Sequence, residues 1–323
     1  MGASAPGLRR GRRPVGSFGP MDPTPVPDGL ALERTQLDDL DVAWLTVPGV
    51  DPGAPLALCL HGFPDAAPTW RFLLPALARA GFRPVAPWLR GYAPTSVPAD
   101  GLYQVGALAR DAVRLHEALG GGPDAVIVGH DWGAMATYAA VGWQPDRWRR
   151  AVAMAVPPAG AMFGGLTSYD QLRRSWYMFF FQSPLAEGVV AADDLAFVDR
   201  LWADWSPGYD PSPDLPAVKA ALGGPENLAA ALGYYRATLG TGTTDPSLDA
   251  AQAGWMVPTP VPTLYLHGRD DGCLGADLVA DAGAHLPAPG SRAEILDGVG
   301  HFLHVEAPDL VNPLVTAFLA EGA

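Results

Sequence analysis

Short apolar runs alternate with amphipathic stretches along the first half of the chain, and this alternation predicts an α/β fold. The run Leu56–Leu60 has the length and apolar content of a strand buried on both faces, which is typical of a parallel sheet. Three more strands are predicted at 84–87, 124–129 and 150–155, and three helices at 68–80, 103–119 and 132–141. Strands and helices in alternation indicate a doubly wound sheet with helices on its faces.

The alternation stops at Pro157, where a long segment begins that is rich in aromatic residues, Pro and Gly and has helical periodicity. It resumes with strands at 262–267 and 293–296 and helices at 275–286 and 308–320. The α/β core is therefore predicted to be interrupted by an inserted domain. We predict a disordered arm at 1–24, a core formed by 25–156 and 258–323, and a helical cap domain at 157–257.

Composition places the chain among globular proteins, since 49% of its residues are hydrophobic and 17% are charged. A formal net charge of −13 argues against nucleic-acid binding, which needs a basic surface. The longest charge-free windows are interrupted by Pro and Gly, so no membrane span is predicted. Two cysteines are too few for a disulfide framework, and a reducing, cytoplasmic location is expected. Lys219 is the sole lysine among 21 basic residues, which is typical of a high-GC bacterial genome.

The most specific local feature is Gly129-His130-Asp131-Trp132-Gly133, which lies between a predicted strand and a predicted helix. Small residues two positions before and after the central one allow a strained turn that projects the central side chain above the sheet. Here the central residue is Asp131, and a carboxylate can attack carbon without a base to deprotonate it first. The plainer alternative is that Asp131 only caps the helix that begins at Trp132.

Two later features offer partners for a nucleophile at Asp131. Gly300-His301-Phe302 follows the last predicted strand and provides a general base. Asp270 and Asp271 follow the preceding strand, and either can orient the imidazole of His301. The chain order of nucleophile, acid and histidine is that of the α/β-hydrolase triad.

The segment His61-Gly62-Phe63-Pro64-Asp65 directly follows the first buried strand. Gly62 and Pro64 would by themselves explain a tight turn. The backbone amide of Phe63, together with that of Trp132, can also donate hydrogen bonds to an oxyanion that develops during ester hydrolysis. We therefore predict an oxyanion hole formed by Phe63 and Trp132.

With these motifs in order, the chain resembles the α/β-hydrolase superfamily, and within it the epoxide hydrolases, from about residue 25 to its end. The matching landmarks are His-Gly-Phe-Pro at 61–64, Arg-Gly-Tyr-Ala-Pro-Thr-Ser at 90–96, Gly-His-Asp-Trp-Gly at 129–133 and Gly-His-Phe at 300–302. The resemblance implies a mostly parallel central sheet flanked by helices, with a helical cap domain. It also selects Asp271 over Asp270 as the acid.

The resemblance further implies two cap tyrosines that bind the oxirane oxygen and protonate the departing alkoxide, which is a poor leaving group without an acid. Tyr177, within Ser175–Pro184, and Tyr235, within Leu232–Ala237, occupy the matching contexts. Tyr234 is expected to be a packing residue. For a lone tyrosine, packing would be the default interpretation.

The implied reaction converts an apolar epoxide and water into a vicinal diol through an ester of Asp131, which water activated by His301 then hydrolyses. It needs neither a cofactor nor a metal. Trp132, Trp176 and Phe180 are expected to line an apolar substrate pocket, to which the cap aromatics Phe179 and Phe181 also contribute. The protein is expected to be a monomer or a homodimer.

Haloalkane dehalogenases of the same superfamily are the main alternative because they use the same aspartate nucleophile, and Trp132 is compatible with halide binding. Phe63, however, has no side-chain donor, and a halide needs no proton from a tyrosine. A non-catalytic ligand-binding homologue is a further alternative, although it would be more credible if one of the catalytic candidates were missing. No metal site is predicted: His301 and His304 lack an associated ligand cluster, and the other histidines are expected to be structural.

Overall fold

The computed structural model describes residues 25–322 and contains one central eight-stranded sheet. The strands are β1 (Ala31–Leu37), β2 (Leu40–Thr46), β3 (Leu56–Leu60), β4 (Arg83–Pro87), β5 (Val126–His130), β6 (Arg150–Met154), β7 (Thr263–Gly268) and β8 (Arg292–Leu296). Their order in the sheet is β1-β2-β4-β3-β5-β6-β7-β8. Strands β3 to β8 pair in parallel, whereas β2 pairs antiparallel with β1 and β4. The predicted arm at 1–24 lies outside the described residues.

Helices cover the sheet and fill the long connection between β6 and β7. The helices of the core are α1 (Leu73–Arg79), α2 (Val105–Ala118), α3 (Trp132–Trp143), α12 (Leu303–Glu306) and α13 (Pro308–Ala320). The connecting helices are α4 (Ala159–Gly165), α5 (Tyr169–Arg174), α6 (Trp176–Phe180), α7 (Ala186–Val190), α8 (Ala192–Trp205), α9 (Leu215–Leu222), α10 (Pro225–Leu239) and α11 (Asp249–Ala253). We call residues 157–257 the insertion. No helix within the described residues is long and apolar enough to cross a membrane.

The mostly parallel sheet predicted from the sequence is confirmed. Every residue of β3, β5 and β7 is buried, as expected for strands that are covered by helices on both faces. Parallel pairing brings the carboxyl ends of these strands to one edge of the sheet. The loops that carry Phe63, Asp131 and Asp271 therefore meet at that edge.

Two predicted helices differ from the structure, and the strands β1 and β2 were not predicted. The predicted helix at 275–286 is two short 3₁₀ turns, Ala276–Val279 and Ala282–His285, because Gly283 is a poor helix former and Pro287 ends the segment. The helix predicted at 68–80 is divided into a 3₁₀ turn and α1, since Pro75 has no backbone N–H to donate to the preceding turn. The antiparallel strand β1 was not predicted, because most of its side chains are polar or exposed.

Hydrogen bonds from three buried side chains join the insertion to loops of the core. Trp202 donates through Nε1 to the carbonyl of Pro64 at 2.7 Å, and the hydroxyl of Tyr234 donates to the carbonyl of Arg90 at 2.8 Å. Asn227 donates to the carbonyl of Gly91 at 2.8 Å. The Pro64 carbonyl lies in the loop that also carries Phe63, so the insertion is fixed directly to the loop beside Asp131.

Arg90 is itself fixed by a buried ion pair. Its Nε donates to Asp111 Oδ2 at 2.6 Å and its Nη2 donates to Asp111 Oδ1 at 2.9 Å. Replacing Asp111 with Asn removes the carboxylate that accepts two hydrogen bonds from this buried guanidinium and leaves it only Asp100, whose Oδ1 is 3.2 Å from Nη1, so we expect the free energy of unfolding to fall by about 3 kcal/mol in urea denaturation. Asp297→Asn is the matched control, because the pair between Asp297 and Arg269 is exposed to solvent and is expected to contribute little. Equal stabilities of the two variants would contradict this prediction.

Candidate active site

Asp131 lies in a sharp turn between β5 and α3, with φ of 52° and ψ of −117°. A non-glycine residue in this region is strained, and the neighbouring glycines explain how the turn forms. A Cβ on Gly129 would lie 2.1 Å from the carbonyl oxygen of Gly133, and a Cβ on Gly133 would lie 2.0 Å from that of Leu60. Both positions therefore require glycine, and the close approach directs the side chain of Asp131 out of the sheet edge.

The carboxylate of Asp131 is buried, with 6% of the residue exposed, and two backbone amides contact it. The N–H of Phe63 donates to Oδ1 at 2.7 Å, and the N–H of Trp132 is a second donor. Burial raises the pKa of Asp131, while His301, His130 and the two amides oppose that shift. Of the two amides predicted to form an oxyanion hole, that of Phe63 therefore binds Oδ1 of Asp131, and that of Trp132 lies beside the same carboxylate.

His301 lies between two carboxylates. Its Nε2 is 3.8 Å from Asp131 Oδ2, and its Nδ1 is 2.9 Å from Asp271 Oδ2. Burial lowers the pKa of His301, but the negative charges of Asp271 and Asp131 outweigh burial, so the pKa is raised above its usual value. A hydrogen bond from Nδ1–H to Asp271 leaves the lone pair of Nε2 directed toward Asp131.

Asp271 is the carboxylate that contacts His301, whereas Asp270 is exposed and only its backbone N–H is engaged, by the carbonyl of Val299. The other oxygen of Asp271 accepts hydrogen bonds from the amides of Cys273 and Leu274 at 2.7 and 2.9 Å. Burial raises the pKa of Asp271, but His301 and these hydrogen bonds lower it more, so Asp271 is ionised near neutral pH.

Tyr177 of α6 and Tyr235 of α10 lie side by side, with ring centroids 5.5 Å apart, and the ring of Trp132 is 5.0 Å from that of Tyr235. The hydroxyl of Tyr177 is 3.3 Å from Cys273 Sγ. The hydroxyl of Tyr235 is buried and has no hydrogen-bond partner among the described residues. Burial raises the pKa of both tyrosines well above the usual value, so both hydroxyls are neutral donors.

The structure does not bring Trp176 and Phe180 to Asp131, although both were predicted to line the pocket. Trp176 is 48% exposed, and both rings pack against Phe197, at centroid distances of 5.8 and 6.0 Å. Adjacent residues of a helix point about 100° apart. Because Tyr177 of α6 points inward, Trp176 points outward.

Two further residues lie in this group: Phe181, one of the aromatic residues expected to contribute to the pocket, and Cys273, which was not predicted. Phe181 is fully buried and packs edge-on against Phe63 and Tyr235, at centroid distances of 5.5 and 5.1 Å. Cys273 lies beside Tyr177 and two residues after Asp271. The run of aromatic residues after Ser175 indicated that a ring would face the site but not which one, and nothing in the sequence distinguished Cys273.

The model of the family described as "alpha/beta hydrolase fold" matches residues 55–308. Epoxide hydrolase A of Mycobacterium tuberculosis is 31% identical over 323 residues, covering 90% of this chain and 98% of the relative. An epoxide hydrolase of Caballeronia sordidicola is 32% identical over 299 residues, covering 82% of this chain and 87% of the relative. The chain belongs to the epoxide hydrolase family of α/β hydrolases. The solved structure of an epoxide hydrolase from an endophytic Streptomyces superimposes on this hydrolase with a TM-score of 0.73 and 26% identity, covering 91% and 96% of the two chains.

The turn at Asp131 gives a stability prediction for the hydrolase. In Gly133→Ala the new Cβ would collide with the backbone of β3, and overpacking of this kind costs about 1 to 3 kcal/mol. Gly164 in α4 is a matched control, because a Cβ there meets nothing within 4 Å and alanine favours a helix. We expect thermal denaturation to show a lower Tm for Gly133→Ala only. A Tm for Gly133→Ala at or above that of Gly164→Ala would contradict the steric argument.

Proposed function

We propose that this protein hydrolyses an apolar epoxide to a vicinal diol through a covalent ester of Asp131. The observation that carries the proposal is the arrangement of two neutral tyrosine hydroxyls beside a buried carboxylate. Tyr177 and Tyr235 flank the same space as Asp131, and the hydroxyl of Tyr235 makes no hydrogen bond of normal geometry within residues 25–322, with the side chains of Trp132 and Tyr177 beside it. The names of the relatives from Mycobacterium tuberculosis and Caballeronia sordidicola support the same class of substrate.

In the first proposed step, Oδ2 of Asp131 attacks an oxirane carbon and the carbon–oxygen bond of the ring breaks. Oδ1 keeps its hydrogen bond with the amide of Phe63, so it becomes the carbonyl oxygen of the ester. Tyr177 and Tyr235 donate hydrogen bonds to the opening oxygen, and one of them transfers its proton. This proton is needed because a free alkoxide is a poor leaving group.

In the second step, His301 removes a proton from water while the water oxygen attacks the ester carbonyl. The negative charge forms on Oδ1, which already accepts a hydrogen bond from the amide of Phe63, and the amide of Trp132 is the second donor in this proposal. Collapse of this intermediate expels the diol oxygen, which takes the proton from His301. The proton left on Asp131 returns to the tyrosine, so one epoxide and one water give one diol.

Halide release from a haloalkane is the second candidate because the indole N–H of Trp132 is buried and has no partner among the described residues. An N–H in that position can bind a departing halide. Halide release would give the two tyrosine hydroxyls no chemical role. Measuring halide release and diol formation with the same preparation separates the two candidates.

The first test is diol formation from a panel of aryl and alkyl epoxides. We expect diol from the wild-type protein and none above background from Asp131→Ala, with unchanged Tm as evidence of folding. A single turnover in H₂¹⁸O sharpens the test, since an ester mechanism places the heavy oxygen in Asp131 and not in the diol. Label in the diol would contradict the ester, and absence of diol with every epoxide would contradict the proposed activity.

Replacing His301 with Gln separates the two steps. Because the general base is lost while Asp131 remains, we expect one equivalent of epoxide to be consumed and the ester to accumulate. Intact-protein mass spectrometry then shows an increase equal to the mass of the epoxide. The same substitution combined with Asp131→Asn is the control and is expected to show no adduct. Steady turnover by His301→Gln at the wild-type rate would overturn the role given to His301.

The tyrosines are tested by Phe substitutions. Positioned general acids contribute about 10²- to 10⁴-fold, so we expect Tyr177→Phe and Tyr235→Phe each to slow ring opening at least about tenfold, and the double variant to lose most of that contribution. Tyr234→Phe is the matched control, because its hydroxyl donates to the carbonyl of Arg90 and lies outside the proposed chemistry. Single-turnover rates of ring opening provide the measurement. Equal slowing in all three variants would contradict the assignment.

A further inference from the structure

A second group of buried titratable residues lies directly behind His301 and takes no part in the proposed reaction. Asp65 lies in the loop after β3. Its Oδ2 is 3.3 Å from Nδ1 of His130 and 3.7 Å from Nε2 of His304. All three side chains are fully buried. The Nε2 of His130 is 2.9 Å from the backbone carbonyl oxygen of His301. The group thus connects the Asp65 loop, the end of β5 and the loop that carries His301.

The hydrogen bonds of the neighbouring histidines fix their protonation states. His61 accepts from the amide of Leu89 through Nε2 and contacts the carbonyl of its neighbour through Nδ1, so only Nδ1 carries a proton. The hydroxyl of Thr69 donates to the carbonyl of Ala66, so its oxygen accepts from Nε2–H of His304. Burial lowers the pKa of His61 to about 4 and that of His304 well below its usual value. Both histidines are therefore neutral.

His130 is different because both of its ring nitrogens face acceptors. Nε2 faces a carbonyl oxygen, which can only accept a hydrogen bond, so Nε2 carries a proton. Nδ1 faces the carboxylate of Asp65, whose other oxygen accepts from the amide of Ala66 at 2.7 Å. Burial raises the pKa of Asp65, but the contact with His130 opposes burial, and the pKa is lowered from its usual value. Asp65 Oδ2 and His130 Nδ1 have no other hydrogen-bond partner within the described residues, so their contact holds one proton, and with Asp65 ionised that proton lies on Nδ1.

We propose that Asp65 and His130 form a buried ion pair, and that the imidazolium of His130 fixes the His301 loop and favours the ionised form of Asp131. The rings of His130 and His301 lie 4.8 Å apart at their centroids, and His130 immediately precedes Asp131. A positive charge at that distance stabilises a carboxylate and disfavours protonation of His301. His130 is thus a positioning residue, and it serves both steps of the proposed reaction without contact with the substrate.

The charged and titratable groups around His130 come from several elements, and each is accounted for. They are Asp65, His61, Asp131, His301 and His304. Two of the histidines are neutral as argued above, and Asp131 and His301 are the groups whose protonation the imidazolium changes. Asp65, His130 and His304 also have ligand atoms within 4.8 Å of one another, a spacing that a metal ion could use.

The protonation of His130 can be measured without any substrate. In protein labelled with ¹⁵N-histidine, long-range ¹H–¹⁵N NMR distinguishes protonated from unprotonated ring nitrogens, and His130→Gln assigns the signal. We expect both nitrogens of His130 to be protonated at pH 7. An unprotonated Nδ1 would overturn the ion pair. So would elemental analysis that finds one divalent metal ion per chain in the wild type and none in His304→Gln.

The catalytic part of this inference rests on the proposed function and is tested by the pH dependence of kcat/KM. Gln at position 130 keeps a donor for the His301 carbonyl but has no charge, so the pKa of Asp131 is expected to rise. Ring opening needs ionised Asp131, so kcat/KM falls as the pH drops below the pKa of Asp131. We expect this fall, the acid limb of the pH profile, to lie about one pH unit higher in the variant, which is a tenfold loss of kcat/KM at pH values below the limb. Asp65→Asn is expected to move the limb in the same direction, because it removes the charge that holds the second proton on His130. This second variant keeps the test valid if His130→Gln does not fold.

His116→Gln is the matched control. His116 is also buried and its Nε2 also contacts a carbonyl oxygen, that of Gly122, but it lies in α2 away from the site. We expect this variant to retain the wild-type acid limb. If both His130→Gln and Asp65→Asn lower kcat/KM at every pH and leave the acid limb where it is in the wild type, the pair has only a structural role. That result would overturn the proposal. Absence of diol in the wild type would instead remove the proposed function and leave the NMR result standing.

Discussion

The strained backbone of Asp131 is the constraint on which the rest of this structure depends. A residue held at positive φ costs about 1 to 3 kcal/mol, and the surrounding structure has to supply that energy. The amide of Asp131 continues the pairing of β5 with β6 by donating to the carbonyl of Met154 at 3.2 Å. On the other side α3 is buried along most of its length. Because strand and helix are both fixed, the turn cannot relax, and its carboxylate stays directed at His301.

Burial of so many ionisable groups is tolerated because each carboxylate has a partner. Asp131 and Asp271 share His301, Asp65 faces His130, and Asp111 pairs with Arg90. Aromatic contacts accompany this arrangement, since the rings of Phe63, Phe181 and Tyr235 pack edge-on against one another. A low dielectric strengthens each of these charge interactions.

The sequence predicted the features that follow from local pattern. Strand periodicity located the parallel strands, and the glycines around Asp131 predicted the turn, because both signals lie within a few consecutive residues. The orientation of α6 was not predictable, since a rotation of about 100° decides whether Trp176 or Tyr177 faces inward. Asp65 and His130 were assigned turn and structural roles because the residues that they contact are distant in the chain. The roles of Asp131, Asp271, His301, Tyr177 and Tyr235 in catalysis remain predictions.

The position of the insertion between β6 and β7 has a consequence for synthesis of the chain. Strand β6 pairs with β5 on one side, but its other edge is covered only when β7 emerges from the ribosome after the whole insertion. An apolar strand with a free edge can pair with other chains and aggregate. In the finished fold both edges of β6 are paired. Expression at lower temperature or with chaperones would therefore reduce aggregation of the nascent chain at this strand.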